Sequence, residues 1–257
     1  MEGYICINGN KTLLTPEQIK ELGFCEKPVP VQGLALVRDS LRNGTFLKRF
    51  KLRDVIEDFG YHFEIIGCCH DRAEEDEERL TVTVMSRELL PAHRMHSGAC
   101  PNGWVDTELR HWLNHDMLES LPDALRELIQ PTIRESVDCK GRKHTSTDML
   151  FLPTESELFG SAIFSSAECG VRYPVFSTSK SRVRVDEDGG TRWYWTSSAY
   201  SGIATCFVLV SGSGCTGSYD ASNALRAPHL LPNFLTSDIG AIPPPLVGGG
   251  INVRTTA

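Results

Sequence analysis

The stretch from Trp193 onward constrains the fold more than any other part of the chain. Three strand-like runs follow one another, RWYWTSS, ATCFVLV and CTGSYD, and the turn sequence SGSG joins the last two. Alternating apolar residues separated by such turns predict antiparallel strands joined by tight hairpins. The alternation also puts Trp193 and Trp195 on one face of a strand, with at least one of them in the core.

The amino-terminal segment, residues 1–44, is expected to be a helical extension. Residues 13–23, LLTPEQIKELG, combine a capping Thr15, a proline at the first helical position and a stop signal at Gly23. These features predict a helix, and a second short helix is expected near 34–42. The segment is too small to hold a core by itself.

The middle of the chain alternates between strand and helix patterns. FLKRF and YHFEIIG are predicted to be paired strands, LTVTVM a further strand, and residues 104–121 a helix that buries one face. A second helix is expected after Leu121-Pro122, then a Gly/Lys/Ser-rich loop over 138–147, a buried strand over 149–153 and a capped helical turn in PTESELFG. Strands followed by helices and then by closing antiparallel strands predict an α+β fold.

Composition excludes several classes of function. The chain has 257 residues, a net charge of −7 and no basic run, which argues against nucleic-acid binding and attachment to anionic membranes. No signal peptide and no transmembrane span are expected. The nine cysteines form no C-x-x-C pair, which favours reduced thiols in a protein made in a cytoplasm.

The candidate chemical motifs all have simpler explanations. His111 and His115 have a zinc-binding spacing, but the pattern favours a solvated helix face. His93 and His96 favour a loop without metal, and the run Cys68–Asp71 favours one buried and one partly exposed thiol. Glu155 and Glu157 have the spacing of a carboxylate pair, but a capping box already explains Glu157. No phosphate loop, nucleophile elbow or kinase signature is present in the sequence, so no catalytic residue, metal or cofactor is predicted.

The carboxy-terminal stretch instead predicts a contact surface. After Trp195 the sequence contains no Lys, Glu, Gln, Met or Trp. Tyrosine with small polar residues supplies adaptable hydrogen bonds at low entropic cost, as in antibody loops. The predicted ligand-binding residues are Tyr200, Ser201, Ile203, Thr205, Thr216, Ser218, Tyr219, Asp220, Ser222 and Asn223; the alternative is that they are only hairpin residues.

Seven runs together resemble a family of uncharacterised proteins of phages, prophages and gut bacteria. They are FEIIGCCHD, LTVTVMSRELLPAHRMHS, NGWVDTELRHWLN, SLPDALRELIQP, TDMLFLPTESELFGS, WYWTSSA and NALRAP. The match covers about residues 45–230. The family's tryptophan–leucine–asparagine helix corresponds to 112–114, and its W-W-x-R-S-P segment to 193–198, where Thr196 replaces the usual arginine.

The resemblance implies a C-type-lectin-like domain over 45–235, with two helices against small antiparallel sheets, followed by an extended Pro/Gly-rich arm over 236–257. Some members are variable proteins of diversity-generating retroelements. Adenine-directed mutagenesis of their Asn-type codons cannot produce Lys, Glu, Gln, Met or Trp, which agrees with the composition after Trp195. Calcium is possible in lectins, but only Asp220 and Asn223 lie close together in the sequence as ligands.

The expected function is therefore a non-enzymatic phage or prophage ligand-binding or virion-surface protein, such as a tail or capsid accessory protein. Its expected partners are a protein or glycan on a cell surface, other virion subunits and further copies of itself, without nucleic acid or membrane insertion. The expected location is the virion, or alternatively the bacterial cytoplasm. Two alternatives stay open: a purely structural decoration protein, and an enzyme like the formylglycine-generating oxidases, for which Cys206 and Cys215 are the available thiol pair.

Overall fold

A four-stranded antiparallel sheet is the largest sheet among the residues that the structure describes. The computed structural model describes residues 3–7, 10–14, 33–73 and 81–231. The sheet has the order β14-β6-β4-β3, built from β3 (Val55–Asp58), β4 (Tyr61–Cys68), β6 (Val82–Leu89) and β14 (Pro228–Leu231). Because β14 pairs with β6, the chain returns near its end to a strand formed much earlier.

The helical turns in the middle of the chain form a broken series. They comprise a 3-10 turn (Gly103–Asp106), α3 (Glu108–Trp112), a π-helical turn (Leu113–Met117), α4 (Leu118–Ser120) and α5 (Asp123–Arg126). The single helix predicted over 104–121 is thus divided, but its apolar face is correct. Leu109 and Leu113 are buried, Trp112 and Met117 are half-buried, and the inward positions of the second helix, Leu125, Leu128 and Ile129, are buried.

A three-stranded sheet occupies the region that was predicted to contain a loop. β5 (Arg72–Ala73), β8 (Thr132–Val137) and β9 (Lys143–Asp148) pair in the order β5-β8-β9. The predicted loop over 138–147 therefore contains most of β9, whose side chains are mostly solvent-facing and polar. The predicted strand over 149–153 is instead an irregular buried segment, because side chains rather than a neighbouring strand bond much of its backbone.

The carboxy-terminal strands form as predicted. β10 (Tyr194–Ala199), β11 (Cys206–Val210) and β12 (Thr216–Asp220) make an antiparallel sheet in that order, with Ser211–Gly214 as the turn between β11 and β12. Trp195 is fully buried, whereas Trp193, just before β10, is 49% exposed. Residues of β11 from Phe207 to Val210 are buried on both faces of the strand, so neither face is half-exposed as alternation alone suggested.

The amino-terminal prediction is partly wrong. The expected short helix is present as α1 (Leu34–Arg42), but FLKRF forms α2 (Phe46–Arg49) rather than a strand. Its predicted partner β4 pairs with β3 and β6 instead. Leu13 and Leu14, the start of the first predicted helix, belong to β2 (Asn10–Leu14), which pairs with β1 (Gly3–Ile7). The rest of that helix and the arm over 236–257 lie outside the described residues.

The remaining elements are short. They are β7 (His93–Arg94), which pairs with β13 (Ala224–Leu225), and the helical turns α6 (Glu155–Phe159) and α7 (Ser179–Arg182). Small antiparallel sheets with few helices make the fold mixed α and β, compatible with the α+β prediction. In the part of the chain that the structure covers, no helix has the length and apolar character needed to cross a membrane.

Candidate binding surface

A well-anchored sheet supports the predicted contact residues. The rings of Trp195 and Phe207 are fully buried beneath it, and the Trp195 indole N–H donates to the carbonyl of His93 at 3.2 Å. Thr196, which replaces the family's usual arginine, is also buried and donates its hydroxyl to the Val208 carbonyl at 2.9 Å. These three anchoring residues are not among the ten predicted contact residues.

None of those ten side chains is buried. Six are exposed: Ser201, Ile203, Ser218, Tyr219, Asp220 and Ser222. Four are half-buried: Tyr200, Thr205, Thr216 and Asn223. Ile203 and Tyr219 are large apolar side chains with 46% and 43% of their area exposed, so they offer the area that a partner could bury. We call these ten residues the contact surface.

A loop from elsewhere in the chain extends the contact surface. The Tyr200 ring stacks on Phe164 with 5.9 Å between ring centroids, and Ser201 N–H donates to the Phe164 carbonyl at 2.8 Å. Ile163 beside it is 53% exposed. Gly202 N–H donates to the Cys139 carbonyl at 2.7 Å, which holds the 200–203 turn against a second loop.

The fully buried carboxylate of Glu155 connects this loop to β12. Glu155 follows the cap of α6, where Thr154 and Glu157 form the predicted capping box. Its oxygens accept from the backbone N–H groups of residues 163, 164 and 165 and from the Ser165 hydroxyl, at 2.7–3.1 Å. They also accept from the Thr216 hydroxyl at 3.0 Å. One acidic side chain therefore positions both edges of the surface.

Sequence reasoning missed Ile163, Phe164 and Trp193 as members of the surface. The Trp193 ring lies edge-on to Tyr219 with 6.2 Å between centroids. Its position at the start of the Trp-Tyr-Trp run marks Trp193 as a candidate, but alternation places it on the same face as the core residue Trp195. No local signal marks Ile163 and Phe164, because tertiary bonds to Glu155 bring them there.

The structure offers no calcium cage at Asp220 and Asn223. The Asp220 carboxylate accepts from the backbone N–H of Ser222 at 2.9 Å and from its hydroxyl at 2.5 Å, and these bonds lower the pKa of Asp220. The Asn223 amide N–H donates to the Asp220 carbonyl at 3.3 Å. Both side chains thus act in a local turn.

A second cluster of ionisable groups lies in the core. His70, Asp71 and Glu157 bring three possible metal ligands within 4.8 Å of one another. The buried guanidinium of Arg134 bonds to both carboxylates, at 2.6 Å to Glu157. Arg134 thereby supplies the positive charge that a metal ion would bring, and the cluster is a structural ion pair.

Other side chains complete that ion pair. Asp71 also accepts from the Tyr173 hydroxyl at 2.7 Å and from the Thr83 hydroxyl, and burial together with the Asp71 charge raises the pKa of Tyr173. The His70 ring stacks on Tyr173 with 3.8 Å between centroids. The carboxylates of the cluster thus already have hydrogen-bond donors from the protein itself.

Cys206 and Cys215 do not lie together as a reactive pair at the surface. The β11–β12 register places Cys206 opposite Asp220, whereas Cys215 lies at the other end of the hairpin, beside the turn. Several residue steps of about 3.3 Å separate them. Cys68 is half-buried and Cys69 exposed, and burial raises the pKa of Cys68 to about 12, which makes its thiolate scarce at neutral pH.

The remaining candidate histidines lie partly where the sequence suggested. His111 and His115 are exposed, and His96 lies outside the strands, but His93 belongs to β7 rather than to a loop. The His93 ring stacks on Trp112 with 4.8 Å between centroids.

One of the comparisons with known proteins identifies a family. A model of the family described as a domain of unknown function, DUF6273, matches residues 81–246. That range includes the whole contact surface, Glu155 and the loop that it positions. No curated protein and no solved structure gives a significant match.

Proposed function

For a chain that belongs to the DUF6273 family, we propose a non-enzymatic binding function: a phage or prophage protein that presents the contact surface, with Ile163, Phe164 and Trp193, to a protein or glycan on a cell surface. The observation that carries the proposal is the separation of roles in the sheet. Trp195, Phe207 and the buried Glu155 hold the backbone, while six of the ten contact side chains are exposed and, of the ten, Thr216 bonds to Glu155. Side chains that do not hold the fold are free to be selected for binding.

The chemistry of the surface supports a binding role. Interface hot spots are enriched in tyrosine and tryptophan, and small polar residues around them adapt to the partner. Trp193, Tyr219 and Ile203 each leave between 43% and 49% of their area exposed. Ser218 and Ser222 are also exposed and can donate or accept hydrogen bonds.

A C-type-lectin-like fold is part of the same proposal. The return of β14 to pair with β6 supports it, since that fold closes by bringing the end of the chain beside its start. The carboxy-terminal location of the surface and the missing Lys, Glu, Gln, Met and Trp residues after Trp195 support diversification by a retroelement. The neighbouring genome tests this: we expect a reverse transcriptase gene and a near-copy of the 3′ end that differs at adenines. A locus without both contradicts diversification.

A structural role in the virion is the second candidate. β12 is the outer strand of its sheet, and its residues 218–220 are exposed. An exposed edge strand can pair with another chain, and a neighbouring subunit would then cover the surface permanently. Light scattering of the purified chain tests this candidate, which predicts a stable oligomer that Ile203→Ser with Tyr219→Ser disrupts.

Binding to cells tests the leading proposal. The fluorescently labelled full chain is incubated with a panel of intact gut bacteria and measured by flow cytometry. We expect saturable binding to some strains, weakened about tenfold or more by Ile203→Ser with Tyr219→Ser, since hot-spot losses exceed about 1.4 kcal/mol. The control is Leu47→Ser, because Leu47 is 73% exposed but lies on α2. Equal binding by both variants and the parent, or binding to no strain, contradicts the proposal.

A further inference from the structure

A groove beside the helical series contains side chains that can bind a metal ion. Its volume is about 440 Å³, and its lining includes Asp106, His111, His115, Thr147 and Met149. These residues bring two imidazoles, a carboxylate, a hydroxyl and a thioether to one concave surface. The sequence suggested only a solvated helix face for the two histidines; their exposure agrees with that, but the groove and the ring geometry could not be foreseen.

The two imidazoles are neighbours on the helix surface. The rings of His111 and His115 stack with 4.2 Å between centroids and 22° between planes. Nitrogens bound to one metal at about 2.0–2.1 Å lie about 2.9 Å apart when they are adjacent in the coordination sphere. The lone pair of an imidazole nitrogen lies in the plane of its ring, so the stacked rings must rotate about their side-chain bonds to bring one nitrogen of each to a shared ion.

The local backbone keeps the two rings together. Residues four apart lie on the same helix face, and His115 lies in the π-helical turn Leu113–Met117, a kind of turn often found at functional sites. The helix is held on its other side by Leu109 and Leu113, which are buried. Both histidines are exposed, so a hydrated ion can reach them and exchange water for imidazole.

The charges around the groove permit a cation. Arg110 lines the groove, but its guanidinium donates to the buried carboxylate of Asp148 at 2.6 Å and to the Val105 carbonyl at 3.0 Å. Asp106, which is exposed, adds a negative charge to the same lining. The arginine charge is thus compensated inside the protein, unlike at His70, Asp71 and Glu157, where Arg134 bonds to the carboxylates themselves.

We propose that His111 and His115 together bind one divalent late first-row transition-metal ion, with water and the other polar side chains of the groove completing its coordination. Imidazole nitrogens suit Ni²⁺, Cu²⁺ and Zn²⁺, and affinity rises along that series toward Cu²⁺. The site does not depend on the proposed binding function, because none of the ten contact residues lines the groove.

Titration calorimetry of the full chain with Ni²⁺ tests the site, because Ni²⁺ is not reduced by the free thiols. We expect one binding event near neutral pH that His111→Ala and His115→Ala each weaken by about tenfold or more, since even outer-shell losses cost that much. Binding should also weaken at lower pH, because protons compete for the imidazoles. Ni²⁺ should raise the Tm of the parent protein but not that of the double variant.

His62→Ala is the matched control, because His62 is also exposed but pairs with Glu88 on the four-stranded sheet. It should bind Ni²⁺ as the parent does. Parent-like affinity in the double variant would assign the binding to other groups, such as the exposed thiols Cys69 and Cys215. That result, or a parent protein that gives no Ni²⁺ signal, overturns the proposal.

Discussion

At the scale of single residues, polar side chains connect segments that are distant in the sequence. Asn114, in the tryptophan–leucine–asparagine run, donates from its amide to the carbonyls of Arg110 and Leu150, at 3.0 and 2.9 Å. Its oxygen accepts from the N–H groups of Met149 and Leu150, at 2.6 and 3.1 Å. One amide thus bonds the backbone at the start of the buried segment after β9 and ties it to the helical series.

Asn114→Asp should destabilise the fold strongly. The carboxylate keeps the two acceptor roles but presents oxygen to two carbonyls, so we expect a loss of about 2–4 kcal/mol in the free energy of unfolding, measured by urea denaturation. Asn43→Asp is the control, because exposed Asn43 only accepts, from Thr45, and should change stability little. Equal effects of the two changes would contradict the role given to Asn114.

Glu155→Gln should disturb the surface more than the core. The amide can keep its oxygen at the Oε2 position, which accepts from residues 163–165, but then places an NH2 group where Oε1 accepts from the Phe164 N–H and the Thr216 hydroxyl, so the bond to β12 is disturbed first. We expect a cost of about 2–4 kcal/mol, together with altered NMR signals in the 163–165 loop and β12. Unchanged spectra in those segments would show that Glu155 does not position them.

At the scale of elements, the β11–β12 hairpin depends on the close approach of its turn to α7. Gly214 has φ +79°, and a Cβ there would lie 1.9 Å from the Ser179 carbonyl oxygen. The Gly214 carbonyl accepts from Arg182 at 2.9 Å. Gly214, the second glycine of SGSG, is therefore required for the packing of the turn against α7 as well as for turning the chain.

Gly214→Ala and Gly202→Ala form a matched pair. Gly202 has φ +77°, but a Cβ there meets no atom within 4 Å. Gly202→Ala should cost about 1–2 kcal/mol, from backbone conformation alone. Gly214→Ala should cost about 3–5 kcal/mol, because steric overlap adds to the same conformational cost. Thermal unfolding measures both, and similar Tm losses would contradict the contact with Ser179.

Local patterns predicted those elements whose partners are nearby in the sequence. The three carboxy-terminal strands, α1 and the capped turn at Thr154 were found because alternation and capping are local signals. β9 was not predicted because all six of its residues, Lys143 to Asp148, are polar, so no alternation of apolar and polar residues marks the strand. The loop at Ile163 and Phe164 could not be placed, because a buried carboxylate rather than a sequence pattern determines its position.

At the scale of the whole molecule, ionised carboxylates link stability to pH. Hydrogen bonds from Ser97 and Arg94 lower the pKa of Glu108 to about 2. Although burial opposes it, bonds from His144, Arg142 and Lys140 hold the pKa of Asp138 well below its usual range. In the unfolded chain these groups take up protons near pH 4, so the folded state binds fewer protons in this range.

Stability should therefore be fully present above about pH 5 and should fall as the pH decreases toward the folded pKa values. Urea denaturation followed by tryptophan fluorescence at stepped pH measures this. Glu108→Gln should reduce the slope between about pH 4 and 2, because it removes one of the linked groups. A free energy of unfolding that stays constant on acidification would contradict this linkage.

The hydroxyl of Thr216 has a consequence for natural variation. Among the ten contact residues it is the one that bonds to the buried carboxylate of Glu155, so only serine could replace it with the bond retained. Alleles from different isolates should then keep a hydroxyl amino acid at this codon while neighbours such as Ser218 scatter widely. If this codon varies as freely as its neighbours, the bond between residue 216 and Glu155 is not needed to hold β12 and the 163–165 loop together.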